Sequence, residues 1–366
     1  MKRMIACLFI ILAYNFTFFT HAEPASQPPD KSKWPKYMSL ATARAGSSLY
    51  TITAGITTII TEKLGIKTVP ESGSLGQMVI MVHKGDRELG DLQGYGLYIA
   101  GRGEKRYEKY GPMKVRQLWQ GYTAASAFIT RRSSGIMTAK DLKGKKVMCI
   151  YKGNPDIEEG GRLILEAAGL TWNDMVAMRY TGRNEGWPAV KEGRVNAFTF
   201  PVGGGQGVPP WIKQGDLEEP IRLISAPKEA IIATAAKHPY ADVITVRAEV
   251  FGDLVDNKDM PTIGIPHFVY CYSGLPADLV YEIMKATWSN LDRILKFHPD
   301  AKVFMGDPLA KAVIPYHEGA VKYWKEAGKW NADLEAAENE SSANLGGTAL
   351  TPRSGRGRDF PERVVI

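Results

Sequence analysis

From Tyr37 onward, short β-branched or aromatic runs alternate with segments whose apolar residues recur at helical spacing. Residues 37–41 (Tyr-Met-Ser-Leu-Ala) read as a short strand. Behind them Leu49, Ile52, Ile56, Ile59, Ile60 and Leu64 fall three and four apart, the period of a helix with one buried face. Residues 66–69, closed by Pro70, are expected to form the next strand. Later strands are expected over 124–130, 145–151, 176–180, 195–200, 221–225 and 263–272. A helix over 157–168 would bury Leu163, Ile164 and Ala167 and stop at Gly169. A longer one over 276–297 carries Leu279, Val280, Ile283, Met284, Thr287, Leu291 and Ile294 as its stripe. The alternation predicts an α/β architecture on mainly parallel sheet.

The order of these elements predicts a two-lobed shape. Residues 124–131 lead into a βαβαβ unit, and the apolar strand 263–272 leads into helices with no further strand to pair. Economical packing sends that last portion back onto the first lobe. The expected division is 37–124 with 268–330 for lobe 1 and 125–267 for lobe 2, hinged near 125–130 and 266–270. A ligand cleft belongs between the lobes, near strand C-termini and helix N-termini. Residues 23–36, rich in Pro, Ser and Lys, read as a flexible lead. Residues 331–366 turn to Asn, Ala, Ser, Gly and Arg and read as a disordered tail.

The N-terminus changes the picture. Lys2 and Arg3 precede an apolar run from Met4 to Phe19, and Thr20-His21-Ala22 supplies small residues for cleavage after Ala22. Asn15 and Thr17 interrupt the run, which falls short of the roughly 18 to 20 apolar residues of a membrane span. Cys7 lies in it without a lipobox. Residues 1–22 therefore read as a signal peptide, and the product as exported. Outside that segment only Cys149 and Cys271 occur, each in an apolar run, which fits buried small hydrophobes and not a disulfide scaffold.

The 366 residues are 44% hydrophobic with a net charge of +7. No Lys/Arg run interleaves with aromatics, so nucleic-acid binding lacks support, whereas a mild basic excess suits long-range steering of small anions. His83, His238, His267, His298 and His317 are scattered without metal-ligand spacing, and no Gly-x-Ser-x-Gly elbow occurs. These patterns give no support to an enzyme, a metal site or a cofactor. The chemistry begins instead at Ala45-Gly-Ser-Ser-Leu-Tyr50, which opens the first helix. Ser47 and Ser48 stand where an N-cap would, and free N–H groups at a helix start make an anion site. A plain capped turn fits the same residues.

Several stretches together resemble the TAXI class of solute receptors, which serve tripartite ATP-independent periplasmic (TRAP) transporters. The family's Gly-Gly-Thr-Tyr-Tyr-Pro signature has its counterpart at 46–54, its Gly-Gly-Ser-x-x-Asn turn at 72–77, and its Asp-Leu-Gly-x-x-Gln segment at 88–93. Ser134 to Ile136, Asp141-Leu-Lys-Gly-Lys145, Leu165 to Leu170, Leu275-Pro-Ala-Asp and His298-Pro299 follow in the family's order. The resemblance spans residues 37–330. It implies a type II-like periplasmic binding protein that works as a monomer, captures a small organic anion and delivers it to TRAP membrane subunits. Departures are several: Thr51 stands for the signature's proline, Thr123 and two alanines follow Tyr122 in place of an acid, and the Gly-Ser-Gly-Thr turn reads Gly153-Asn-Pro-Asp156.

In a carboxylate receptor, helix-start N–H groups and hydroxyls hold the charge, amides orient polar groups and aromatic walls exclude water. Ser47, Ser48 and Tyr50 fit the first role. Ser72, Ser74 and Gln77 form a second polar turn, and Gln93 follows the next strand. In the other lobe Tyr151, Gly153 and Asn154 lie at a strand-to-helix turn, and Phe200, Gly203 and Gly204 at another. Ordinary turn chemistry accounts equally for Ser72 and Ser74. Asp156 reads as an N-cap or first-turn carboxylate, Arg131 and Arg132 as a solvated pair, and Trp187 and Trp211 as either cleft wall or core cover. Export and fold also admit a receptor for an ABC importer or sensor kinase, and more remotely a secreted hydrolase.

Overall fold

The computed structural model describes residues 30–346, apart from 152–153, 205–206, 307–308 and 310. The predicted signal peptide, Gly153 and residues 347–366 of the predicted tail lie outside the described residues. The first lobe opens with β1 (Tyr37–Thr42), α1 (Ser48–Leu64), β2 (Lys67–Ser72), α2 (Leu75–Lys84), β3 (Leu89–Gln93) and α3 (Gly94–Arg102). α1 forms where the apolar period said it would: Leu49, Ile52, Ile56, Ile59 and Ile60 are buried on one face, and Gly65, at φ +73°, ends it in a left-handed cap.

A 17-residue strand, β4 (Val115–Arg131), then carries the chain into the second lobe. There β5 (Lys146–Tyr151), α4 (Pro155–Ala167), β6 (Val176–Tyr180), α5 (Arg183–Lys191), β7 (Ala197–Pro201), α6 (Pro210–Glu218), β8 (Ile221–Ile224), α7 (Lys228–Ala235), β9 (Asp242–Val246) and α8 (Ala248–Phe251) follow. The chain returns along β10 (Met260–Tyr272). It ends in α9 (Ala277–Trp288), α10 (Leu291–Ile294), α11 (Ala301–Phe304), α12 (Glu318–Glu326) and α13 (Ala332–Gly346).

β4 and β10 join the halves. The sheet has ten strands in the order β2-β1-β3-β10-β4-β7-β5-β6, with β8 beside β4 and β9 beside β10. β4 pairs antiparallel with β10 up to Ala125, then changes partners at Ser126 to β7 and β8. β10 likewise pairs with β9 up to Gly264 and with β3 from His267. Helix-bearing parallel strands flank this antiparallel pair on both sides, so the sheet is mixed, not mainly parallel.

Other differences have local causes. β2 runs through Pro70 to Ser72 because it is the edge strand of the order, where a missing N–H breaks no ladder bond. The helix expected over 276–297 breaks after Trp288, and Asn290 turns its side-chain amide back onto the Ala286 carbonyl at 2.8 Å. The expected flexible lead is ordered from Asp30, where a short 3-10 turn sets Trp34 into the first lobe's core. The expected disordered tail is helical over Ala332–Gly346. Leu334 of α13 is buried, and Glu338 accepts the Tyr316 N–H at 2.8 Å. Cys149 and Cys271 are buried free thiols, and burial pushes the Cys149 thiol up to about 12.

Candidate functional site

Helices α1, α3 and α4 start just after β1, β3 and β5 end. At α1 the N-cap is Ser47: its Oγ accepts the Tyr50 N–H at 3.2 Å. Ser48 is not a cap but the first helical residue, half-buried, and the Ser48 and Leu49 N–H groups have no acceptor among the described residues. The two serines therefore divide: one satisfies the helix, the other stands beside unsatisfied donors.

α3 and α4 meet across the lobes. Asn154 caps α4, its Oδ1 accepting the Asp156 N–H at 2.9 Å, with Pro155 pre-set at the first helical position. The same side chain donates from Nδ2 to Gln93 Oε1 at 2.6 Å, and Gln93 is the residue just before α3. Asp156 is a first-turn carboxylate of α4 and not its N-cap. It is buried, and its Oδ1 accepts the N–H of Gly96 in the first turn of α3 at 2.9 Å. A side chain at Gly96 would meet Asp156 Oδ2 at 2.9 Å, so glycine there lets the carboxylate approach. Burial pushes the Asp156 carboxyl up to about 6, opposed by the Gly96 N–H and by nearby His267.

A buried polar group lies under α1. Along β3, Leu89, Asp91 and Gln93 alternate onto one face, and the register with β1 (Leu40 against Leu89, Ala41 against Gly90) brings Thr42 beside Asp91 on that face. Thr42 Oγ1 stands 3.1 Å from Thr53 Oγ1 of α1. Asp91 is 1% exposed, and neither of its oxygens has a hydrogen-bond partner among the described residues. His267, opposite Gln93 on β10, holds Nδ1 3.9 Å from Asp91 Oδ1, outside hydrogen-bond reach. The Tyr122 ring stacks on His267 with centroids 4.7 Å apart. A loop of the second lobe completes the wall: a side chain at Gly204 would meet Tyr122 at 3.1 Å.

The remaining candidates divide. Tyr151 packs on Tyr180 at 5.2 Å, and Phe200 meets Trp211 edge-on at 5.6 Å, which makes Trp211 an aromatic wall beside Phe200 while Trp187 is buried in the second lobe's core. Gly203 adopts φ +107°. Ser72, Ser74 and Gln77 are exposed and make no side-chain hydrogen bond among the described residues; Ser74 precedes α2 without capping it. They join none of the contacts above. Arg132 pairs with Asp256 at 2.7 Å and is no cleft residue. A hollow of about 350 Å³ between α6 and α8 holds none of these residues and is a surface depression.

A family model described as the NMT1-like family matches residues 40–328. The chain belongs to the NMT1-like family. Solved structures similar to this NMT1-like protein include the periplasmic aliphatic sulphonate binding protein SsuA from Escherichia coli, at 14% identity and TM-score 0.41 over 90% of this chain and 97% of that one. A putative sulfonate ABC transporter's periplasmic sulfonate-binding protein SsuA from Methylobacillus flagellatus KT matches at 16% and 0.47, over 85% and 94%. An ancestral arginine-binding protein bound to arginine matches at 16% and 0.42, over 72% and 97%.

In this NMT1-like protein the residues that sequence reasoning missed are Asp91, His267, Tyr122, Thr42 and Thr53. They come from distant segments brought together by strand register and by the packing of α1 on β1, so no spacing along the chain announces them. The one available signal was a charged residue inside an otherwise apolar strand, at Asp91 in Leu-Gly-Asp-Leu-Gln93.

Proposed function

We propose that this protein is an exported solute-binding receptor, without catalytic turnover, that captures a small organic anion, a carboxylate, between its lobes. The observation that carries this reading is the meeting of the α3 and α4 N-termini across the lobes, with α1 starting after β1, the neighbour of β3, and with unsatisfied N–H donors at Ser48 and Leu49. Ser48, Tyr50, Gln93, Tyr151, Asn154, Phe200, Gly203 and Gly204 serve as its lining. The resemblance to TAXI receptors supports a periplasmic monomer delivering its ligand to the membrane subunits of a TRAP transporter. An ABC importer is the competing destination, and co-purification with the membrane subunits separates the two.

The test is a thermal-shift screen of the protein against carboxylates, sulfonates, amino acids and sugars. Selective stabilisation by carboxylates is expected, since a ligand at 100 times its dissociation constant adds roughly 2.7 kcal/mol. Stabilisation by sugars alone would overturn the reading.

A further inference from the structure

Asp156 and Asn154 occupy one turn of the second lobe, and both reach into the start of α3 in the first. Asn154 holds the Gln93 side chain at 2.6 Å, and Asp156 holds the Gly96 N–H at 2.9 Å. α3 is nine residues long and its own N-cap residue, Gln93, makes no side-chain cap bond. Its first-turn donors are thus met by an anion from the opposite lobe. That carboxylate is only 1% exposed, and its second oxygen, Oδ2, has no hydrogen-bond partner among the described residues. A buried carboxylate with an idle oxygen is costly, and one placed on a helix N-terminus stands where a free anion would bind.

We propose that the α3 N-terminus is a second anion seat of the cleft, and that Asp156 holds it as a tethered stand-in for a free anion. Asp156 is then a latch between the lobes, and a small carboxylate entering the cleft competes with it for the Gly96 N–H. The groups facing Asp156 are the Gly96 and Tyr95 N–H groups of α3, His267 of β10, Glu159 beside it on α4, and Tyr107 from the 3-10 turn after α3. His267 favours the ionised latch, and Glu159 opposes it. The inference goes beyond the receptor reading, because the seat and its occupant are defined without any solute.

The test reads the Gly96 amide in ¹H–¹⁵N spectra of the protein with no solute added, so a failed solute screen leaves it decisive. In the wild type that resonance is expected to move with pH through a midpoint near 6, following the Asp156 carboxyl. In Asp156→Asn, which keeps the side chain's shape, the movement is expected to vanish. In Asp156→Ala, sodium acetate is expected to return the Gly96 resonance saturably toward its wild-type position, while in the wild type the tethered carboxylate competes and the same acetate moves Gly96 only at much higher concentration. A Gly96 titration that persists in Asp156→Asn overturns the proposal. So does acetate moving wild type and Asp156→Ala alike. If the alanine variant does not fold, the asparagine comparison decides alone.

Discussion

Ser47 and Ser48 separate two roles that adjacent serines share on paper. Ser47 spends its hydroxyl on the Tyr50 N–H, so Ser47→Ala is expected to cost about 1 kcal/mol of folding stability and leave affinity nearly unchanged. Ser48 makes no cap. Ser48→Ala is expected to leave the melting temperature alone and remove a hydrogen bond to a charged ligand group, worth roughly 1.5 to 3 kcal/mol or about 10- to 150-fold in affinity. Calorimetric titration and melting curves on both variants check the pair, and a stability loss in Ser48→Ala with intact affinity would reverse the assignment. Asp156 makes a separate prediction. Its folded carboxyl titrates near 6, above the unfolded value near 4, so the folded state binds the extra proton between these limits. Stability from this group is whole below about pH 4, falls as pH rises toward 6, and stays lost above it. Denaturant unfolding should show Asp156→Asn gaining on the wild type over that window, by on the order of 2 to 3 kcal/mol at neutral pH. An unchanged difference from pH 4 to pH 7 would contradict it.

At the scale of elements, legibility followed how local the cause was. α1 announced itself because its burial stripe, cap and terminal glycine lie within one segment. Ile56, inside that stripe and 1% exposed, packs in the first lobe's core, so Ile56→Ala is expected to cost about 2 to 5 kcal/mol in chemical denaturation. β4 was legible only in its second half. Its first half carries Gln117 and Gln120, polar residues that read as loop, yet Gln117 is buried: its Nε2 donates to the Lys311 carbonyl at 2.6 Å and its Oε1 accepts the Val313 N–H at 3.2 Å. α13 escaped notice because its sequence has almost no apolar stripe. It docks through Leu334 and the Glu338 carboxylate, tertiary contacts that composition does not encode. The site divided the same way. Asn154 and Gln93 were legible as turn residues, whereas the bond between them, and the Asp91–His267 pairing, depend on which strands become neighbours.

For the whole molecule, the two lobes are tied by β4 and β10, which exchange partners at Ala125 and Ser126 opposite Gly264, and we propose that the pivot lies there. Few residues need change for the lobes to rotate about this pair. Ligand-stripped Asp156→Ala, which lacks the carboxylate contact between the lobes, is expected to show a larger radius of gyration in small-angle scattering than ligand-stripped wild type, and an identical radius in both would argue for a rigid cleft. The ionised Asp156 is costly in a closed cleft, which readies that contact for release when a solute anion arrives. The central claim, capture of one small carboxylate at the α1 start, is tested most directly by calorimetric titration of stripped protein with the carboxylate that stabilises it best. The account predicts saturable binding of one carboxylate per chain, weakened at least tenfold by Ser48→Ala. Tight binding of an uncharged solute, with carboxylates giving no heat, would contradict it.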